Sequence, residues 1–558
     1  MEPTPQQRVL RDQDLLGALV AFVTTLSGRC RLRAVCRTIH ETLRAPEHWR
    51  SLNLGYMATE DSWRVLWLLA RGVAEPGLFS CESVESLALT LQLPPAQAPD
   101  SLPDFCRALS LFPRLVELDL TGSRVRIGML HSAFKSCGHS LRRLDLTQVA
   151  FLVGHSSNYF IGEAFSPNGA APDLFEPLAA LQVLVARDAE RRLDTSRDPH
   201  TQPVGRGMLW AAQRCCPALE EMVLGWSSEF GPRASPQAAT EFSGLIPWAT
   251  QHTVEAEGSL SRLRVAVFAG HVVLSPGSLL SLCAGAPPLE TLDISNCQSL
   301  PDALLANCLP HVAGTLRSLN VRATKFGDGA AAALAGAGAN LARLNASCTD
   351  VSGHGLALLS DASDRLHYLD LCYAAKLASA DVLGCTRRHG GRLTMLGVGG
   401  LTDLSSARLR EMLEDSSASM LFLGCGGCDA LDGAEALALL AALCPELRSL
   451  NLHKVTGCTL AALRTLLSSC PHLRSLDCNE VKFDGEEWSD LSLASELVDQ
   501  LGTKDAWMAL ARPYPTYETF YVPSVVRTEH PIVEATAATH VREGLDFDSS
   551  HSCTLCRE

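Results

Sequence analysis

One hydrophobic phrase recurs along the chain. Leu-x-x-Leu-x-Leu, with other apolar residues allowed, begins at Leu289, Leu316, Leu341, Leu366, Leu393, Met420, Leu447 and Leu473, at intervals of 27, 25, 25, 27, 27, 27 and 26 residues. Upstream it reads LVELDL from Leu115, LRRLDL from Leu141, LQVLVA from Leu181, LEEMVL from Leu219 and LRVAVF from Leu263. Weaker versions are WRSLNL, ending at Leu54, and VESLAL, ending at Leu89. Alternation within the phrase predicts a short strand. Between phrases, SARLREMLED (406–415), ALALLAALC (436–444) and LAALRTLLSS (460–469) are apolar at three- and four-residue spacing, which predicts return helices.

A period in this range is that of leucine-rich repeats, one parallel strand and one helix per unit. Neighbouring strands lie about 4.8 Å apart and packed helices about 10 Å, so the stack bends with its strands inside. The expected fold is an α/β leucine-rich-repeat horseshoe solenoid, in which each unit buries its apolar face only against its neighbours. The array is expected over 52–483, after an N-terminal helical module at 1–51 and before a C-terminal cap or tail at 484–558. Three long intervals carry polar, Gly/Pro/Ser-rich text and are read as rim insertions near 150–178, 187–212 and 226–260. The tail contains RPYPTYETFYVP, whose aromatics suit either a cap on the last repeat or a docking segment.

Composition narrows the function. Apolar residues are 47% and charged residues 19%, a globular balance, and the net charge of −14 opposes a general nucleic-acid binder. No signal sequence is read at the N-terminus, and no apolar run approaches the ~18 residues that span a bilayer. The expectation is a soluble protein of the cytoplasm or nucleus, without a membrane or nucleic-acid partner. Its 21 cysteines are then thiols in a reducing compartment.

Cys216, Cys444 and Cys470 each stand three residues before a first Leu, and Cys297 and Cys428 stand eight after one. Both positions point into the narrow space between strand and helix, where a small thiol packs well. The Cys-x-x-Cys pairs Cys425/Cys428 and Cys553/Cys556 each lack a second pair or a spaced His pair, so neither is assigned a metal. No nucleophile elbow, phosphate-binding loop or zinc-protease motif occurs, and neither an enzyme nor a cofactor is expected.

Residues two, four and six after the first Leu face outward on the inner sheet. Four after it stand Asp293, Asn320, Asn345, Asp370, Gly397, Gly424, Asn451 and Asp477, a polar column broken by two glycines. Gly399 and Gly426 fall beside those glycines, and Tyr368, Met395 and Phe422 flank them as large side chains on the solvent face. Glycine in a strand often marks close approach of a ligand or another backbone, so a shallow recess is expected there, able to receive a peptide segment or the chain's own tail, the other reading being glycines that stand where nothing packs. Arg322, Arg343 and His453 add charge around it, and Ser449, Asn451, Ser475 and Asp477 face outward beside it.

Ahead of the repeats stands DLLGALVAFVTTLSGRCRLRAVCRTIHETLRAPEHWRSLNL, residues 14–54. Leu15, Leu16, Leu19, Phe22, Val23 and Leu26 recur at helical spacing, giving a face for a partner's helices or for capping the core. The helix, the phrase Arg33-Ala34-Val35-Cys36-Arg37 and the run Ala45-Pro46-Glu47-His48-Trp49-Arg50 resemble an F-box. Followed by cysteine-bearing repeats, this is the layout of the F-box/leucine-rich-repeat family. The resemblance implies docking on a Skp1-like adaptor through that face with Val35 and Cys36, attachment to a cullin ubiquitin ligase, and an unidentified protein substrate held by the repeats. The other reading is a leucine-rich-repeat scaffold outside any ligase.

Overall fold

The computed structural model describes residues 50–54, 83–90, 109–153, 175–187, 189–193, 202–203, 205–225, 260–270, 274, 276–285, 287–415, 417–473, 475–477, 481–483 and 486–487. All lie in the first of two compact units, Met1–Tyr514. The F-box-like segment before Arg50 and nearly all of 484–558 fall outside the described residues.

One parallel sheet of 15 strands organises the unit. Its strands are β1 Ser51–Asn53, β2 Ser86–Ala88, β3 Glu117–Asp119, β5 Arg143–Asp145, β7 Val183–Arg187, β10 Glu221–Gly225, β11 Val265–Val267, β12 Thr291–Asp293, β13 Ser318–Asn320, β14 Arg343–Asn345, β15 Tyr368–Asp370, β16 Met395–Gly397, β17 Phe422–Gly424, β18 Ser449–Asn451 and β19 Ser475–Asp477. They neighbour one another in chain order, and each opens two residues after a first Leu of the phrase. Leu319, Leu344, Leu369, Leu396, Leu423, Leu450 and Leu476 align as one inward row. The weak phrases before Leu54 and Leu89 supply β1 and β2 of the same sheet.

Return helices include Asp328–Gly336, Gly353–Ala362, Ser379–His389, Ser406–Leu413, Gly433–Leu443 and Leu460–Ser469. Their starts are fixed partly by the neighbouring repeat. Asp302 accepts the Gly327, Gly329 and Ala330 N–H groups at 2.8, 3.1 and 3.0 Å, satisfying orphan donors at the next helix's N-terminus. Asp328 likewise accepts the Ser352 N–H at 2.8 Å and its hydroxyl at 2.6 Å, and Asp403 takes the Ser379 N–H and hydroxyl. These bonds join one helix to the next in addition to the apolar layer between sheet and helices. That layer is a single continuous cluster from Leu52 to Val481. The fold is an α/β leucine-rich-repeat horseshoe.

The spans read as insertions are only partly loop. β4 Arg124–Arg126, β6 Ala150–Val153, β8 Glu190–Leu193 and β9 Gln202–Pro203 form a second sheet in the order β4-β6-β8-β9, and Gly205–Cys215 is a helix. AFLV at 150–153 is an apolar run that suits a strand, but the Gly- and Ser-rich text after it dominates a composition-based reading. Residues 154–174, 194–201 and 226–259 lie outside the described residues. Among the described residues no helix is long and apolar enough to cross a membrane.

Candidate functional site: the inner face and its rim

The structure brings the expected site residues onto adjacent strands. Tyr368, Met395, Phe422 and Ser449 stand side by side in register, as do Asp370, Gly397, Gly424 and Asn451. Two expectations about them are corrected. Tyr368 and Met395 are buried, at 7% and 1% exposure, and Phe422 is half-buried, so they are not open solvent-face anchors. Side chains on the inside of a bend converge, and the Arg343 guanidinium lies 5.5 Å from the Tyr368 ring centre, a cation–π distance. Burial also pushes the Tyr368 phenol above its ordinary range.

The polar column is the second correction. Asp119, Asp145, Asp293, Asn320, Asn345, Asp370 and Asn451 each accept, through a side-chain oxygen, the backbone N–H two residues on, at 2.8–3.1 Å. These are Asx turns, which end each strand by offering its backbone a side-chain partner. Asn320 also donates to Asp293 at 2.9 Å, tying two repeats together. Burial holds the carboxyls of Asp145, Asp293 and Asp370 above the usual aspartate range, and the turn hydrogen bonds offset part of that shift. The column is therefore framework, and Asp370 and Asn451 are turn residues before they are contacts.

Three residues beyond the column positions from Asp145 to Asn451 that carry Asp or Asn, the backbone turns left-handed. Gln148, Asn296, Ala323, Cys348, Tyr373 and Lys454 have φ between 51° and 61°. Every one of them follows an Asp or Asn column residue. Where the column residue is Gly397 or Gly424 it has no side chain for its own turn, Cys372 Sγ of the preceding repeat takes the Gly399 N–H at 3.3 Å, and Gly400 and Gly427 take φ of 78° and 72°. Glycine populates this region without the Cβ penalty that the cap otherwise helps to offset.

Of the recess expected at Gly397, Gly399, Gly424 and Gly426, the space beside Gly397, Gly399 and Gly426 is filled by the chain's own atoms. The space a Cβ at Gly397 would need holds the Asp370 carboxylate and, at 3.0 Å, Cys372 Sγ. At Gly426 it holds Asn451 Oδ1 at 2.6 Å and His453 Cβ at 3.0 Å, and at Gly399 the Gly426 carbonyl at 2.7 Å. Tyr373 lies against Gly400 and reaches Gly427, where its hydroxyl is 2.8 Å from a Cβ position. These three glycines, with Gly400 and Gly427, thus receive the chain's own side chains and backbone, and the exposed product is Tyr373 on the rim, at 42%. Tyr373 sits seven residues after its first Leu, outside the phrase that defines the strand, so outward alternation does not find it.

The other feature missed by that reading lies upstream. Val183, Val185, Val223, Val265 and Val267 occupy outward positions of β7, β10 and β11, and all are buried. Val185, Val223 and Val267 form one row between Asp145 and Asp293. The sequence signal is direct, in VLV, MVL and VAV.

The cysteines behave as packing groups. Cys216, Cys297, Cys428, Cys444 and Cys470 are buried. Cys297 Sγ donates to the Phe268 carbonyl at 3.1 Å, Cys428 to Val398 at 3.3 Å and Cys470 to Cys444 at 3.2 Å, each reaching the preceding repeat. Burial raises the thiols of Cys425, Cys428 and Cys444, the last two to about 11 and about 12, which keeps them protonated and poorly nucleophilic. Among the described residues no three His, Cys, Asp or Glu side chains gather as metal ligands.

No protein-family model and no curated protein sequence matches the chain. Similar solved structures include the yeast Rad7–Elc1 complex, with 16% identity, a TM-score of 0.43, and coverage of 77% of this chain and 91% of the other. An internalin, InlF of Listeria monocytogenes, is 13% identical with a TM-score of 0.35, covering 74% and 94%. TLR13 in complex with ssRNA13 is 15% identical with a TM-score of 0.32, covering 74% and 61%. On its own in-register strands, Asx-capped turns and return helices, the chain is a leucine-rich-repeat protein.

Proposed function

We propose that this protein is the substrate-recognition subunit of a Skp1–cullin–F-box ubiquitin ligase. The observation that carries the reading is the F-box-like sequence at residues 14–54, which leads directly into β1 at Ser51 and so into a 15-strand repeat sheet. A rigid array of this kind offers a long surface for a protein and few groups for chemistry. In this reading the chain contributes proximity and orientation, and other subunits perform the covalent transfer. Leu15, Leu16, Leu19, Phe22, Val23 and Leu26, with Val35 and Cys36, dock the adaptor, and the inner face and rim of the array hold the substrate.

The test is capture of purified Skp1 by the full-length chain, compared with Leu19→Asp and Phe22→Asp. Wild type is expected to retain the adaptor and both variants to lose it. If folded wild type retains none, the ligase reading falls and the array stands as a leucine-rich-repeat scaffold.

A further inference from the structure

Tyr373 is the output of an arrangement spread over three repeats. It holds a left-handed backbone, φ 56°, that bulky residues seldom adopt. Asp370 caps its turn through the Cys372 N–H at 3.1 Å, and the Tyr373 N–H donates to the Gly399 carbonyl at 2.7 Å. Its ring then lies along Gly400 and Gly427, where any side chain would collide with it. The ring is fixed from beneath by the framework and remains 42% exposed, a value shared among large apolar side chains of the described residues only by Leu280. A rigid, exposed aromatic of this kind is a typical binding anchor, because little side-chain freedom remains to be lost.

The loops over which the ring points supply the chemistry of the partner. Asp403 lies three residues after Gly400 and Asp429 two after Gly427, both exposed. Both carboxylates act electrostatically on Cys428, which places them in the same neighbourhood. Asp403 is engaged in capping Ser379, and Asp429 is exposed two residues after Gly427, the glycine against which the Tyr373 hydroxyl rests. Of the nearby cations, Lys376 lies 3.8 Å from Asp350, and Lys454 is exposed at the equivalent turn position of the repeat that follows Gly427, where the Gly427 N–H donates to the His453 carbonyl. A planar cation satisfies both features at once, stacking on tyrosine and pairing with a carboxylate, and the guanidinium of arginine does this better than an ammonium.

We propose that the Tyr373–Asp429 rim is a docking site for an arginine side chain in an extended segment of the protein that the array binds. This rests on the reading that the array binds protein, and not on the adaptor assignment. The whole chain's charge of −14 favours approach of such a basic segment.

The experiment titrates full-length protein into fluorescein-labelled Gly-Arg-Gly-Arg-Gly-Gly, with lysine and citrulline versions alongside, and follows anisotropy to millimolar concentration. The arginine peptide is expected to bind most tightly. Tyr373→Ala weakens it about three- to fivefold, the size of an exposed cation–π contact, and Tyr373→Phe leaves it unchanged. Asp429→Asn weakens the arginine and lysine peptides and leaves citrulline unaffected. Equal binding of arginine and lysine, an unaltered Tyr373→Ala, or no saturable binding by wild type overturns the proposal. Skp1 capture by Tyr373→Ala is expected to equal wild type, so loss of peptide binding with the adaptor retained strikes this site alone. Loss of the adaptor with the peptide retained strikes only the ligase reading.

Discussion

The inner sheet divides into two sectors that solve the same problem differently. At the column position β7, β10 and β11 carry valine, and the strands from β12 onward carry Asp, Asn or Gly. β7 and β10 run five residues and pair along their whole length, whereas β11, which also carries valine at the column, stops at three like β12 to β19. One contribution to the difference is the side chain at the column position. An Asp or Asn takes the N–H two residues on and ends the strand, whereas valine has nothing to offer that donor and favours extended backbone. Outward on a repeat strand is therefore not a synonym for surface. Upstream it is buried framework, valines with Glu221 among them, in the middle it is turn chemistry, and the rim carries the exposed aromatic.

This contrast can be broken at its stronger end first. Val223→Asp places a carboxylate at a position with 0% exposure, between Val185 and Val267 in the register. It is expected to destabilise the array by about 3–5 kcal/mol or prevent folding, read by urea denaturation. A loss under about 1 kcal/mol shows that the valine row is open to water. Gly427→Ala comes next, since it meets both a φ of 72° and the Tyr373 hydroxyl. A decrease of about 1–3 kcal/mol is expected, and adding Gly424→Asn, which installs the missing cap, should recover part of it.

The smallest effect is Asp370→Asn. Asn320 and Asn345 already make the same turn, so the hydrogen bond to Cys372 survives while a buried charge disappears. Because Asp370 has its folded pKa raised by burial, its contribution to stability is full below the ordinary aspartate value and is lost as pH rises through the raised value. At neutral pH the variant is expected to match or exceed wild type by up to about 1 kcal/mol, and the advantage should vanish in acid. Thermal melts across that range decide it. A variant less stable than wild type at neutral pH would show that the charge itself is used.

Much of the architecture is legible in the sequence because the apolar phrase is periodic and each copy does the same thing. Even the weak copies at Leu54 and Leu89 fall into the sheet. The small β4-β6-β8-β9 sheet is not legible, since its strands are two to four residues long and set in loop-like text. The candidate residues fall on adjacent strands, yet Asp370 and Asn451 are turn caps and Met395 is buried. Period-two alternation gives the direction of a side chain but neither what lies over it nor which backbone group it holds. Tyr373 was hidden because its position depends on the turn, though glycine at the same place in the next two repeats, Gly400 and Gly427, is a readable sign.

The central claim is that one end of this chain joins a ligase adaptor while the repeats hold a target. Calorimetric titration of purified Skp1 into the full-length protein tests it most directly. The account predicts a saturable one-to-one isotherm that persists in Tyr373→Ala and disappears in Leu19→Asp. A flat titration with folded wild-type protein, or an isotherm untouched by Leu19→Asp, would contradict it.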